Sequence, residues 1–256
     1  VDNFRTGRRE NLKTALASTR FKLLELDVAR DGSLAKATTD ARPDALIHLA
    51  ALVSVQESMR DPGLNFELNV KATHLAAEAC RAAGVNRLVF ASSAAIYGDV
   101  ASLPVREESA KLPISPYGAA KLASEALLLG HGAAYGMTVR CQRYFNVYGE
   151  NSKKGHFLGD QIDKIRNGIF SVIGAQETRS FCHVSDAVEG IISVINSENT
   201  VGHVFNIGST EEITIGDLAK KVVTELGSKS EIIFKPYEDA YGEGFEDMPR
   251  RIPDIS

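Results

Sequence analysis

Tyr117 and Lys121 stand four residues apart in the stretch Ser115-Pro116-Tyr117-Gly118-Ala119-Ala120-Lys121. On a helix, that spacing puts both side chains on one face, so a phenol and an ammonium can point into the same cleft. A free tyrosine has a pKa of about 10 and is a poor base at neutral pH. A neighbouring cation favours the phenolate and brings proton exchange within range. Such a pair is common by composition alone. Its company gives it meaning.

The elements that must position these residues follow from periodicity. Short β-rich runs at 21–26, 45–50, 87–91 and 137–143 alternate with helical stretches at about 33–39, 65–83 and 116–135. Leu68, Leu75, Ala76 and Ala79 recur at helical spacing, and Gly84 supplies a stop. This βαβα order predicts an α/β fold, a Rossmann-like doubly wound parallel sheet with helices on both faces. After Gly149 the rhythm breaks: helices are expected near 157–167, 185–196 and 215–226, a short strand at 204–207, and an irregular arm at 236–256. A smaller C-terminal α/β lid over a nucleotide-binding core is the expected arrangement.

In an open parallel sheet, ligands sit beyond the carboxyl ends of the strands. Polar clusters recur there: Asp2-Asn3 after Val1, Asp27 after the next strand, Ser92-Ser93, and Tyr144-Phe145-Asn146. A carboxylate at a strand end accepts hydrogen bonds from a ribose diol and repels a 2′-phosphate. Leu49-Ala50-Ala51 places small residues where a backbone must approach a cofactor. One such cluster is ordinary turn chemistry. Their repetition after successive strands points to a site.

The ordered set Asp2-Asn3, Asp27-Val28, His48-Leu49-Ala50-Ala51, Asn69-Val70, Ala91-Ser92-Ser93-Ala94-Ala95-Ile96-Tyr97-Gly98, the Tyr117/Lys121 stretch and Arg143-Tyr144-Phe145-Asn146-Val147-Tyr148-Gly149 resembles the extended short-chain dehydrogenase/reductases. Within them it is most similar to the nucleotide-sugar epimerases and dehydratases, the UDP-glucose 4-epimerase group above all. The resemblance implies bound NAD and a UDP-sugar substrate. It implies Tyr117 as acid/base, Lys121 as the cation that lowers its pKa and binds the nicotinamide ribose, and Ser93 at the reacting oxygen. Asp2 and Asn3 would take the adenosine ribose, and Asp27 and Val28 the adenine. Leu49, Ala50, Ala51, Asn69 and Tyr144 would complete the cofactor shell. Asn146 and Arg179 match positions that touch the nucleotide diphosphate, and Asp247 one near the nucleoside ribose. The planar cationic fork of arginine suits phosphate oxygens. The implied domains are a cofactor-binding core at 1–148, rejoined by 183–208, and a substrate lid at 149–182 and 209–256. A homodimer through the helices at 65–83 and 116–135 is implied too, their small faces (Ala76, Ala79, Ala120, Ala123) permitting close packing.

The residues after Ser93 choose among reactions. The family's dehydratases usually carry Asp-Glu there, and its decarboxylases a Glu; this chain has Ala94 and Ala95. Without a carboxylate for elimination, reversible oxidation and re-reduction at one carbon remains, which favours 4-epimerisation. A dehydratase or another sugar-modifying reaction is the alternative. Three departures stand out. Ser180 replaces an aspartate often found after the arginine. Gly244 occupies the place of a phosphate-binding arginine, leaving Arg250 or Arg251 as the substitute. The glycine-rich phosphate loop that opens the family's first βα unit is missing, so the expectation is that N-terminal residues lie outside this sequence; a chain truly without the loop would be a catalytically silent binding protein. The C-terminus is expected to continue likewise.

Bulk properties agree with a soluble enzyme. Of the 256 residues, 44% are hydrophobic and 24% charged, and the net charge of -4 gives no reason to expect nucleic acid or an anionic membrane as partner. No apolar run approaches the roughly 18 residues of a membrane span, and the first residues hold no signal-peptide core. Cys80, Cys141 and Cys182 are odd in number and lack CxxC spacing, and the six histidines form no HxxxH or HExxH pattern. No metal site and a reduced, cytoplasmic setting are therefore expected.

Overall fold

The structure is a computed structural model that describes residues 1–100, 102–152, 162, 165, 170–235 and 250–256. The chain divides into two compact units. Val1–Gly98, Lys111–Tyr144 and Val188–Phe205 make the first, and Asp99–Ala110, Phe145–Ala187 and Asn206–Ser256 the second.

The first unit is built on a sheet whose neighbouring strands follow chain order: β1 (Leu46–His48), β2 (Arg87–Ser93), β3 (Thr138–Tyr144) and β4 (Val204–Ile207). β1 pairs with β2 in parallel from Leu46↔Leu88 to His48↔Phe90, and β2 with β3 from Arg87↔Thr138 to Ser93↔Tyr144. Leu88, Val89 and Phe90 are buried in succession, as they must be in a parallel strand covered on both faces. Cys80, Leu88, Phe90, Leu128, Met137, Val139 and Cys141 are the centre of this core.

The helices start and stop where their sequences dictate. α1 (Ser33–Ala41) packs Leu34 against Ala76 and Ala79, so the small faces expected to meet a second subunit at those two positions serve this unit's own core. α2 (Val55–Arg60) is capped by Ser54, which accepts from the Glu57 N–H, and α3 (Pro62–Asn65) by Asp61, which accepts from the Leu64 N–H. A π-helical turn, Phe66–Lys71, joins α3 to α4 (Ala72–Ala83), which ends on Gly84 at φ 71°. α5 (Pro116–Tyr135) has Ser115 as its cap, proline at its first position and Gly136 as its left-handed stop.

One expected element is nearly absent. The stretch 21–26 makes only a single bridge, Asp2↔Glu25, with the Asp2 N–H donating to Leu24 and the Leu26 N–H to Asp2.

In the second unit, Thr178–Ser180 is the middle strand of three, parallel to Arg250–Arg251 and antiparallel to Glu212–Thr214. Ile232–Lys235 pairs in parallel with Phe170–Ile173, and Val147–Tyr148 with Cys182–His183. Ile165, Val172, Ile215 and Ala219 form a separate core. The helix Ile215–Glu225, capped by Thr214, falls where expected, as does Val184–Asn196. The helix expected near 157–167 lies largely outside the described residues, as does most of the arm at 236–256. Among the described residues, no helix is long and apolar enough to cross a membrane.

Candidate active site

At the carboxyl end of β2, the strand meets the first turns of α5. Lys121 Nζ donates to the Ala91 carbonyl at 2.8 Å and lies 4.8 Å from the centre of the Phe90 ring. Gly118 abuts the Ser93–Ala95 turn so tightly that a Cβ there would come within 2.5 Å of the Ala95 carbonyl oxygen. Ser93 ends β2, pairs in register with Tyr144, and accepts a hydrogen bond from the Ala95 N–H. Ser93 and Tyr144 thus lie at the carboxyl ends of β2 and β3, where Lys121, with Tyr117 one turn before it on α5, meets the sheet. Tyr117 and Lys121 are both buried, at 8% and 3% exposure.

Burial sets the electrostatics of this end of the sheet. Desolvation brings the Lys121 pKa down to about 8, and Glu125, one turn further along α5, works against that fall. His48, at the end of β1, is lowered to about 3 by burial and then by the Lys121 charge. It is therefore a neutral ring, held by Thr73 Oγ1 at 3.1 Å.

A second set of hydrogen bonds ties the 49–52 segment to the start of α5. Asn69, within the π-helical turn, receives the Leu52 N–H on Oδ1 and donates from Nδ2 to the Leu52 carbonyl and to Asn65 Oδ1. Asn65 in turn donates to the Pro116 carbonyl at 3.0 Å, and Ser58 Oγ accepts the Tyr117 N–H. The irregular turn leaves the Asn69 carbonyl to accept from both Thr73 Oγ1 and Ser124 Oγ. Sequence reading picked out Asn69 but missed Ser58 and Asn65, which give no motif of their own.

At the far edge of this unit, the Asp2↔Glu25 bridge sets Asp2 beside the segment that ends in Asp27 and Val28. Asp2 Oδ1 accepts the Phe4 N–H at 2.7 Å, Asn3 Oδ1 the Arg5 N–H, and Asp27 Oδ1 the Ala29 N–H. Gly7 lets the backbone come close to the Asp2 carboxylate: a Cβ there would lie 3.0 Å from Oδ2. Leu49 and Ala50 are exposed beyond the end of β1, with Ala51 partly so.

The remaining expected residues lie in the second unit. Asn146, at φ 38°, donates from Nδ2 to the Ser180 carbonyl at 2.9 Å. Arg179 is 7% exposed and pairs in register with Arg251 on the neighbouring parallel strand. Register partners share a sheet face, so the two arginines are set on one side of this small sheet. Arg250 instead makes a two-point bond to Glu212, at 2.9 and 2.7 Å. Of the two arginines left open by the sequence, Arg251 is the one beside Arg179. Asp247 lies outside the described residues.

Residues 1–208 match the family model described as the NAD dependent epimerase/dehydratase family. The chain belongs to this family. It is 33% identical, over 83% of its length and 68% of the relative's, to a UDP-N-acetyl-alpha-D-glucosaminuronate decarboxylase of Bacillus cytotoxicus. It is 30% identical, over 93% of its length and 77% of the relative's, to a putative UDP-glucose 4-epimerase of Methanocaldococcus jannaschii. Among solved structures, a UDP-N-acetylglucosamine 4-epimerase of Methanobrevibacter ruminantium in complex with UDP-N-acetylmuramic acid superposes with a TM-score of 0.88 at 29% identity. That match covers 100% of this chain and 80% of the other.

NAD is the cofactor of the NAD dependent epimerase/dehydratase family, and the residues present fit it. The Asp2 carboxylate is of the type that accepts from a ribose diol, and Lys121 brings a buried donor to the carboxyl end of β2, which also carries Ser93.

Proposed function

We propose that the protein is a nucleotide-sugar epimerase that inverts C4 of a UDP-hexose through a transient keto-sugar. The observation that carries this reading is the carboxyl end of β2, where the Tyr117–Lys121 face of α5 meets Ser93, and where Ala94 and Ala95 follow in place of carboxylates. NAD, when bound, supplies the hydride acceptor and donor. Asp2 and Asn3 hold its adenosine ribose, Asp27 and Val28 its adenine, and Leu49, Ala50, Ala51, Asn69 and Tyr144 line its path.

Tyr117 Oη takes the proton from the sugar hydroxyl and later returns it. Lys121 favours the phenolate and is drawn to the nicotinamide ribose, and Ser93 Oγ orients the reacting oxygen. Asn146 and the Arg179–Arg251 pair hold the diphosphate, whose oxygens suit the planar cationic forks of the arginines. Asp247 serves the nucleoside ribose. The core–lid division follows this assignment, with a homodimer and a cytoplasmic setting as parts of the same reading.

Incubation with UDP-glucose and, separately, UDP-galactose, followed by chromatography, tests it: each should yield the same mixture of both. Another sugar-modifying reaction of the family is the second reading, favoured by the 33% identity to a decarboxylase. Loss of water from these sugars, or release of carbon dioxide from a UDP-hexuronate offered in their place, with no interconversion, would establish it instead.

A further inference from the structure

Lys121 poses a problem that its immediate neighbours do not solve. Its ammonium is buried, with one backbone carbonyl and the face of Phe90 as its partners. An ammonium taken out of water tends to lose its proton. The reading of Tyr117 and Lys121 given above, on which this inference rests, needs that proton kept.

Among the described residues, few charged or titratable side chains reach Lys121 with their fields. His48, from β1, is neutral and contributes nothing attractive. Glu125, from α5 itself, is the acidic group, four residues on and on the same helix face. Tyr117 precedes Lys121 by one turn of that face. From β3, Arg143 faces Glu125: Nε donates to Oε1 at 3.0 Å and a terminal nitrogen to Oε2 at 2.7 Å, both side chains only 3% exposed. Arg143 also donates to the Tyr97 hydroxyl at 2.8 Å, with the guanidinium 5.0 Å from that ring's centre.

We propose that the Glu125–Arg143 pair is a positioning device that keeps Lys121 charged and holds its helix face at the end of β2. Arg143 acts as the anchor. It sits opposite Ser92, one step before the Ser93↔Tyr144 pair, so its fork ties α5 to the strand position that carries the proposed site. The fork fixes both carboxylate oxygens of Glu125 and keeps the group ionised in a dry setting. Glu125 then presents negative charge to Lys121 from within the helix, and Arg143 lies beyond it. Packing alone does not require such a pair, because well-packed apolar residues replace buried ion pairs without loss of stability in many proteins. An apolar pair cannot supply the charge.

The test uses the protein labelled with 13Cε-lysine, the Lys121 signal being assigned by K121R. The Lys121 titration midpoint is followed in wild type, E125Q and the double variant E125M/R143M, with thermal unfolding recorded for each. The double variant removes both charges of the ion pair together, at the cost of the Arg143 bond to the Tyr97 hydroxyl, so it leaves no unpaired buried charge where E125Q does. The expected result is a Lys121 midpoint lower by about one unit in both variants. The alkaline limb of the kcat profile for sugar interconversion should move down by the same amount, with KM unchanged. An unchanged midpoint in folded E125M/R143M would overturn the proposal and leave the pair as scaffold. The titration needs no sugar, so a protein that shifts its Lys121 midpoint but never interconverts UDP-hexoses would count against the epimerase reading and for the pair.

Discussion

Lys121 shows the cost of putting chemistry inside a core. Its pKa falls to about 8 because burial disfavours the ammonium, so the folded state holds this proton less well than the unfolded chain does. Stability is therefore reduced below pH 8, and the penalty fades as pH rises toward the ordinary lysine value. K121M should be more stable than wild type at pH 7 by on the order of 2 kcal/mol, raising the melting temperature by about 5 °C. The gain should shrink above pH 8, and sugar interconversion should be lost. A melting temperature that drops in K121M would contradict the burial argument. His48 gives the opposite pH window. Its folded pKa of about 3 lies below the ordinary value, so its contribution is whole above pH 6.5 and disappears as pH falls toward 3. At pH 5 the loss is on the order of 2 kcal/mol, and H48Q should flatten that acid slope in urea unfolding at pH 7 and pH 5.

Among elements, α5 carries Tyr117 and Lys121, and its first turn is tightly specified. Ser115 caps it at 3.1 Å from the Gly118 N–H, Asn65 and Ser58 bind its opening backbone groups, and Gly118 lets it press against the Ala95 carbonyl. S115A should cost about 1 kcal/mol, the usual worth of such a cap. G118A should cost more, about 1–3 kcal/mol, because the 2.5 Å approach is to backbone that cannot swing aside. It should also depress kcat beyond S115A, since the added methyl pushes Tyr117 away from Ser93. Urea unfolding and turnover measured on both variants check the order; a G118A protein as active as wild type would refute the close approach.

On the scale of the whole molecule, two units with separate cores carry different parts of the proposed chemistry. The first holds the proton-handling residues and the ribose carboxylates, and the second the facing arginines. Ligands that bind only the folded protein should raise its stability by mass action. UDP at about 100 times its dissociation constant should add about 2.7 kcal/mol to unfolding. R251A should lose most of that gain and R250A little, because Arg250 is engaged by Glu212 while Arg251 is set beside Arg179. Equal losses in the two variants, read by thermal shift with and without UDP, would remove Arg251 from the diphosphate site.

The sequence by itself determined which side chains are proposed for the chemistry and which local elements hold them. Tyr117, Lys121 and Ser93 were legible because helix period, cap chemistry and strand ends are short-range rules, readable within a turn or a run of residues. Glu125 was in plain view one turn after Lys121, but its partner was not. Arg143 meets it only because β3 lies beside β2 in one register. The same holds for Arg251 opposite Arg179. Ala76 and Ala79 read as an interface and turned out to be core, because the packing of α1 on α4 decides which face of that helix is covered. Pairings across strands and between helices depend on loop closure and packing far along the chain. Only the folded arrangement decides them.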